Sequence, residues 1–150
     1  MDTQEIETPK PLDVLVVDDE VEVGKVLAEI IKEYGDNATF ANGGQRGIDL
    51  FIQRLEEART SKSSDIKPYD LVLTDLSMPQ ITGYDVVSRV KKESPGTPVY
   101  VVTANKKDWA KISSQRGELQ PDGFLDKPFD INDIFAFLTQ VRANIKGPKH

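Results

Sequence analysis

The chain has 150 residues, 38% of them hydrophobic and 29% charged, with a formal net charge of −6 at pH 7. That length suits one domain with a sizeable core, and the negative charge argues against broad nucleic-acid binding through phosphate neutralisation. Cysteine is absent, so disulfides and thiolate metal sites are excluded.

Residues 1–11 are polar, acidic and end in Pro11. They read as a flexible lead-in and lack the apolar core of a secretory signal. "LDVLVV" (12–17) reads as a strand buried on both faces. From Val21 the period becomes helical, with Val23, Val26, Leu27, Ile30, Ile31 and Tyr34 as the apolar stripe and Gly35 as the stop. "NATFA" (37–41) is a short second strand, followed by a turn at Asn42-Gly43-Gly44. The stretch "ANGGQRG" has glycines, but it lacks dinucleotide spacing and reads as a turn. A second helix follows, with Ile48, Phe51, Ile52 and Leu55 on one face.

The serine-rich "EARTSKSSDIKP" reads as a frayed helix end and a mobile loop. Strand three (69–74), helix three (83–93, with Val86, Val87 and Val90) and the turn Ser94-Pro95-Gly96 come next. "PVYVVT" (98–103) is strand four. Residues 105–120 give no clear pattern beyond Trp109 and Ile112, and Trp109 is expected to pack over the sheet edge. "DGFLD" (122–126) is strand five. The last helix starts at the N-cap Asp130, with Asp133 three residues on and a stripe of Ile131, Ile134, Phe135, Leu138 and Val141. No run approaches the ~20 apolar residues of a membrane span. The single histidine, His150, ends the chain as a tail residue, which removes histidine-based triads and zinc sites.

Strands alternating with helices predict an α/β fold, a parallel sheet with helices on both faces. Ligands of such sheets bind at the carboxyl ends of the strands. Strand one ends in Asp18 and Asp19, strand three in Asp75 and strand four in Thr103; Lys127 stands just past strand five. Three carboxylates in one cleft repel each other and call for a cation, and Mg2+ fits an all-oxygen site best. A carboxylate nucleophile, a metal, a lysine and a hydroxyl make a phosphoryl-transfer kit, with Asp75 as the nucleophile.

The segments "VVDDE" (16–20), "LTDLSMPQITG" (73–83), "VYVVTA" (99–104) and "DGFLDKPF" (122–129) resemble those of a CheY-like receiver domain of two-component response regulators. The likeness runs from about Leu12 to Asn144. It implies a doubly wound, flavodoxin-like sheet with strand order 2-1-3-4-5 and a receiver domain over 12–146, with 147–150 as a tail. It implies that Asp75 accepts phosphoryl from a histidine kinase, a phosphotransfer protein or a small phosphodonor. Asp19, Asp75 and the Ser77 carbonyl would touch Mg2+, and Asp18 would act mostly through water. Thr103 and Lys127 would bind the phosphoryl group. Phe124 stands at the aromatic switch position, and Lys127-Pro128 is the expected cis peptide. A cytoplasmic signalling module without a DNA-binding output domain is expected, free of nucleic acid and membrane. Its contact and dimer face would be the fourth helix, fifth strand and fifth helix.

Two segments depart from the compact pattern. Residues 56–67 look like an inserted loop, neutral for chemistry, and the polar stretch before strand five is longer than usual. Two other readings remain open at this point. One is an aspartyl-phosphate phosphohydrolase similar to the haloacid dehalogenases, although Ser77 stands where those enzymes place a second aspartate. The other is a receiver-shaped scaffold that is never phosphorylated.

Overall fold

In the computed structural model, which describes residues 10–62, 65–116 and 120–146, five strands alternate with five helices. They are β1 (Asp13–Asp18), α1 (Val21–Tyr34), β2 (Asn37–Asn42), α2 (Gly44–Thr60), β3 (Leu71–Asp75), α3 (Gly83–Glu93), β4 (Val99–Thr103), α4 (Lys106–Arg116), β5 (Gly123–Asp126) and α5 (Ile131–Lys146). All pairings are parallel and the strand order is β2-β1-β3-β4-β5, as the sequence pattern and the family resemblance predict. Most of the lead-in, the 147–150 tail and His150 lie outside the described residues.

Alternation along β1 explains the layers. Val14 and Val16 face α1 and α5, where Leu27, Ile31, Ile134, Leu138 and Val141 cover them. Leu15 and Val17 face the other way, toward Ile48, Phe51, Val86, Val87, Val90 and Trp109 on α2, α3 and α4. A strand so sandwiched must be apolar where it is covered, and β1 is so from Val14 to Val17, between Asp13 at its start and Asp18 at its end.

The helix ends follow their chemistry. Gly35 closes α1 at φ 111°, in the left-handed region that favours glycine. Thr82 and Asp85 form a reciprocal capping box on α3, and Asp130 and Asp133 exchange the same two bonds at α5.

Some expectations change. Val26 is 54% exposed and Ile131 is 43% exposed, so neither belongs to its predicted stripe. The buried face of α1 is Gly24, Leu27, Ala28 and Ile31. Gly24 lets α1 rest against the Phe40 ring, where a Cβ would collide, and this rotation turns Val26 outward. Helix α2 does not fray at residue 57. It continues to Thr60, and the Arg59 guanidinium donates to the Glu93 carbonyl at 3.0 Å. The unclear segment contains a helix, α4.

The amino-terminal edge of the sheet is stapled by ion pairs. Arg142 of α5 binds Asp36, whose side chain is wholly buried, and donates to the Lys10 carbonyl at 2.8 Å. Lys67 bridges Asp13 and Asp70, and Lys91 pairs with Asp122, which also accepts from the Val99 amide.

Candidate functional site

Four chain segments meet at the carboxyl edge of the sheet. Asp18 ends β1 and Asp75 ends β3, and both are buried; Asp19 follows β1 and is half-buried. Ligand oxygens of the three acids lie within 4.8 Å of one another. Lys127, just past β5, donates from Nζ to Asp75 Oδ1 at 3.0 Å and stands 3.7 Å from Asp18 Oδ2. The site that sequence order suggested is therefore one cluster, assembled from residues more than a hundred positions apart.

Local structure fixes each group. The Glu20 amide donates to Asp18 Oδ1 at 2.9 Å as the chain turns from β1 into α1. Lys127 is held because its own amide donates to the Thr103 carbonyl at 3.0 Å, and the Lys127-Pro128 peptide is cis, as expected. Behind Asp75, the Gly83 amide donates to the Leu76 carbonyl at 2.9 Å, so α3 starts directly against the Asp75–Leu76 backbone. Gln80, in the loop between them, has φ 66°, an uncommon conformation for a residue with a side chain.

Thr103 ends β4 and is buried. Its hydroxyl donates to the Asn105 carbonyl at 3.3 Å and accepts from the Asn105 amide at 3.2 Å. Phe124 is half-buried and pairs with Val101 across the β4–β5 ladder, on the α2-α3-α4 side. Ser77 is exposed in the loop after β3.

The electrostatics match the crowding. Burial pushes the Asp75 carboxyl above its ordinary range; the Lys127 hydrogen bond and charge oppose this, and Asp19 adds to it. Burial also raises Asp18, helped by the charge of Asp75. Burial pushes Lys127 down, but its hydrogen bond to Asp75 and the charges of Asp75 and Asp18 together outweigh that, and the net shift is upward. Among the described residues Lys127 pairs with two of the three clustered acids, Asp18 and Asp75, so the cluster has an acid surplus.

Glu20, Asn105 and Gly83 also belong to the surroundings and were not singled out in the sequence. Glu20 adjoins the acid pair and its charge reaches both Asp18 and Lys127. The adjacency in "VVDDE" was the available signal.

The model of the response regulator receiver domain family matches residues 14–139. The chain is 26% identical over 122 residues to the transcriptional regulatory protein DltR of Streptococcus agalactiae, covering 81% of this chain and 48% of that protein. It is 29% identical over 136 residues to the transcriptional regulatory protein ZraR of Klebsiella oxytoca, covering 90% and 27%. The chain thus spans about half or less of the length of these relatives. Among solved structures, a response regulator receiver domain protein from Clostridium thermocellum aligns with TM-score 0.70 at 21% identity, covering 90% of this chain and 97% of that one. The response regulator TrrA of Thermotoga maritima, solved in complex with Mg(2+)-BeF, aligns with TM-score 0.67 at 24% identity, covering 87% and 98%. These structural likenesses bear on the fold.

Proposed function

Because the chain belongs to the response regulator receiver domain family, we propose that it accepts a phosphoryl group on Asp75. The donor is a phosphohistidine of a partner kinase or phosphotransfer protein, or a small acyl phosphate. The observation that carries this reading is the convergence of Asp18, Asp19 and Asp75 within 4.8 Å, with Lys127 bonded to Asp75.

The residues fit a divalent, oxygen-seeking cation of the Mg2+ class. Every donor in the cluster is a hard carboxylate oxygen, and the single lysine leaves excess negative charge. Asp19, Asp75 and the Ser77 carbonyl would hold it directly, and Asp18 through water. When bound, such an ion neutralises the acids and the oxygens of the incoming phosphoryl group.

The protein's own groups do the rest. A carboxylate oxygen of Asp75 attacks phosphorus in line, and the donor's P–N or P–O bond breaks with its electron pair going to the leaving atom. No general base is needed, since an ionised carboxylate carries no proton. Lys127 exchanges its bond to Asp75 for one to a phosphoryl oxygen. Thr103 leaves Asn105 and donates its hydroxyl to another. Phe124 then turns inward along the same side of the sheet, and the population shifts toward the signalling state. Signalling passes through protein contacts at the α4-β5-α5 face, which is also the candidate dimer face.

The test is intact-mass spectrometry after incubation with acetyl phosphate and Mg2+. A gain of one phosphoryl group, absent in Asp75→Asn, is expected. Equal labelling of the variant would remove Asp75 from its role.

A further inference from the structure

Thr74 is the polar member of an apolar row. Ladder register sets it beside Val17 of β1 and Val101 of β4, both buried in the layer under α2, α3 and α4. Thr74 itself is wholly buried. Valine has nearly the same shape and would fill this place without a hydroxyl to satisfy. Packing therefore gives no reason for a threonine here.

The hydroxyl has one partner among the described residues. It donates to the Asp75 carbonyl at 2.9 Å. The ring closed by this bond runs through the Asp75 nitrogen, Cα and carbonyl carbon. The carbon that carries the Asp75 carboxylate lies inside that ring, so the two soft backbone dihedrals of Asp75 lose freedom when it closes. The start of α3 closes on the same peptide unit. A Cβ on Gly83 would collide with the Asp75 oxygen, and the Gly83 amide bonds to the next carbonyl, that of Leu76. At the nitrogen end of the unit, the Leu76 amide favours the ionised Asp75 carboxylate by hydrogen bonding to it.

We infer that Thr74 is a positioning residue: its hydroxyl locks the Asp75–Leu76 peptide unit and so aims the Asp75 carboxylate at the incoming phosphorus. The inference rests on the phosphoacceptor reading for its consequence, while the lock itself stands apart from that reading. Thr74 acts only through Asp75. A carboxylate whose Cα is free to pivot spends less time in line with the bond that breaks, and misplacement of an attacking atom costs rate.

Two substitutions separate the hydroxyl from the packing. Thr74→Val removes the hydroxyl and keeps the shape, so its urea midpoint should stay close to that of the wild type. Thr74→Ser keeps the hydroxyl and deletes a buried methyl, so its midpoint should fall. Labelling of Asp75 by acetyl phosphate at saturating Mg2+ should run the other way, about tenfold slower in Thr74→Val and near wild type in Thr74→Ser. A merely structural role predicts that labelling follows stability. That order, or wild-type labelling in Thr74→Val, would overturn the inference. Amide hydrogen exchange at Leu76 in the unphosphorylated proteins reads the lock itself. It should speed by about tenfold in Thr74→Val and change little in Thr74→Ser. Unchanged Leu76 exchange in Thr74→Val would overturn the lock, whatever the labelling. Absence of any mass gain in the wild-type protein would overturn the phosphoacceptor reading instead, with the lock still decided by Leu76.

Discussion

Gly83 offers the sharpest test of how Asp75 is positioned. A Cβ on this residue would meet the Asp75 carbonyl oxygen and would stand 2.7 Å from Leu76 Cα, where ordinary contact begins at 3.4 Å. Both obstacles are backbone, so neither can swing aside as a flexible side chain would. Gly83→Ala must then push the start of α3 and the end of β3 apart by at least roughly 0.7 Å, since the Asp75 oxygen is nearer still, an overpacking that costs about 1–3 kcal/mol. Alanine's better helix propensity returns at most about 1 kcal/mol of that. The net loss of about 1–2 kcal/mol corresponds to a fall in Tm of roughly 3–8 °C for a chain of this size. The larger effect should be kinetic. A displacement of this order at an attacking atom costs about tenfold to a hundredfold in rate, so labelling of Asp75 by acetyl phosphate should slow far more than stability alone explains. The control is Gly96→Ala, where the added methyl has open space and the change should stay within about 0.5 kcal/mol. Thermal unfolding and a labelling time course on both variants decide the matter. A Gly83→Ala protein with wild-type Tm and wild-type labelling would refute the argument that this backbone approach sets the site.

Lys127→Ala should keep Mg2+ affinity within about threefold, since lysine is no metal ligand, while acetyl phosphate labels Asp75 about tenfold or more slowly; labelling at the wild-type rate would remove Lys127 from phosphoryl binding. Mg2+ affinity should fall as pH drops, and at a higher pH than ordinary carboxylates would give, because burial raises Asp18 and Asp75 and protons then compete for the ligands. The metal-free protein should respond with the opposite sign. Its folded state binds those protons more tightly than the unfolded chain, so stability rises as pH falls through the raised range. Calorimetric titration with Mg2+ and urea melts at neutral pH and about pH 5 test both signs, and a pH-independent affinity would contradict the first. Arg142→Met should cost about 3–5 kcal/mol in urea unfolding, because it strands the wholly buried carboxylate of Asp36, one oxygen of which already has no hydrogen-bond partner. A loss under about 1 kcal/mol would mean that water reaches Asp36.

The site was legible because strand ends announce themselves. An apolar run that stops on Asp18 or Asp75 marks both the end of a strand and the edge where ligands bind, and the parallel alternation fixes that these edges coincide. The α4 segment was not legible as a helix for the converse reason, although the packing of Trp109 was expected. Its helix buries one side chain, so it leaves no apolar stripe for a 3.6-residue period to detect. The α1 face was misread because glycine counts for nothing in an apolar pattern, yet Gly24 decides which side of the helix touches Phe40. The Asp36–Arg142 pair links positions 106 residues apart with no local signature at either end.

The distribution of charge over the two edges of the sheet says why one of them is the reactive edge. At the amino-terminal edge Asp13, Asp36, Asp70 and Asp122 each have a basic partner, supplied by Arg54, Lys67, Arg142 and Lys91. That edge is electrostatically closed and braces α5 and the strand starts. At the carboxyl edge Asp18 and Asp75 share Lys127, and Asp19 crowds the same two carboxylates. Relief there requires either protons, which the raised carboxyls of Asp18 and Asp75 register, or a cation. Phosphorylation of Asp75, as proposed, would change the balance again by adding negative charge beside Lys127 and Thr103. A rearrangement driven by that charge would start at this edge, because the acids at the other already hold basic partners. Its nearest outlet would be the β4–α4 connection, where, among the described residues, the Thr103 hydroxyl is bonded only to the Asn105 backbone.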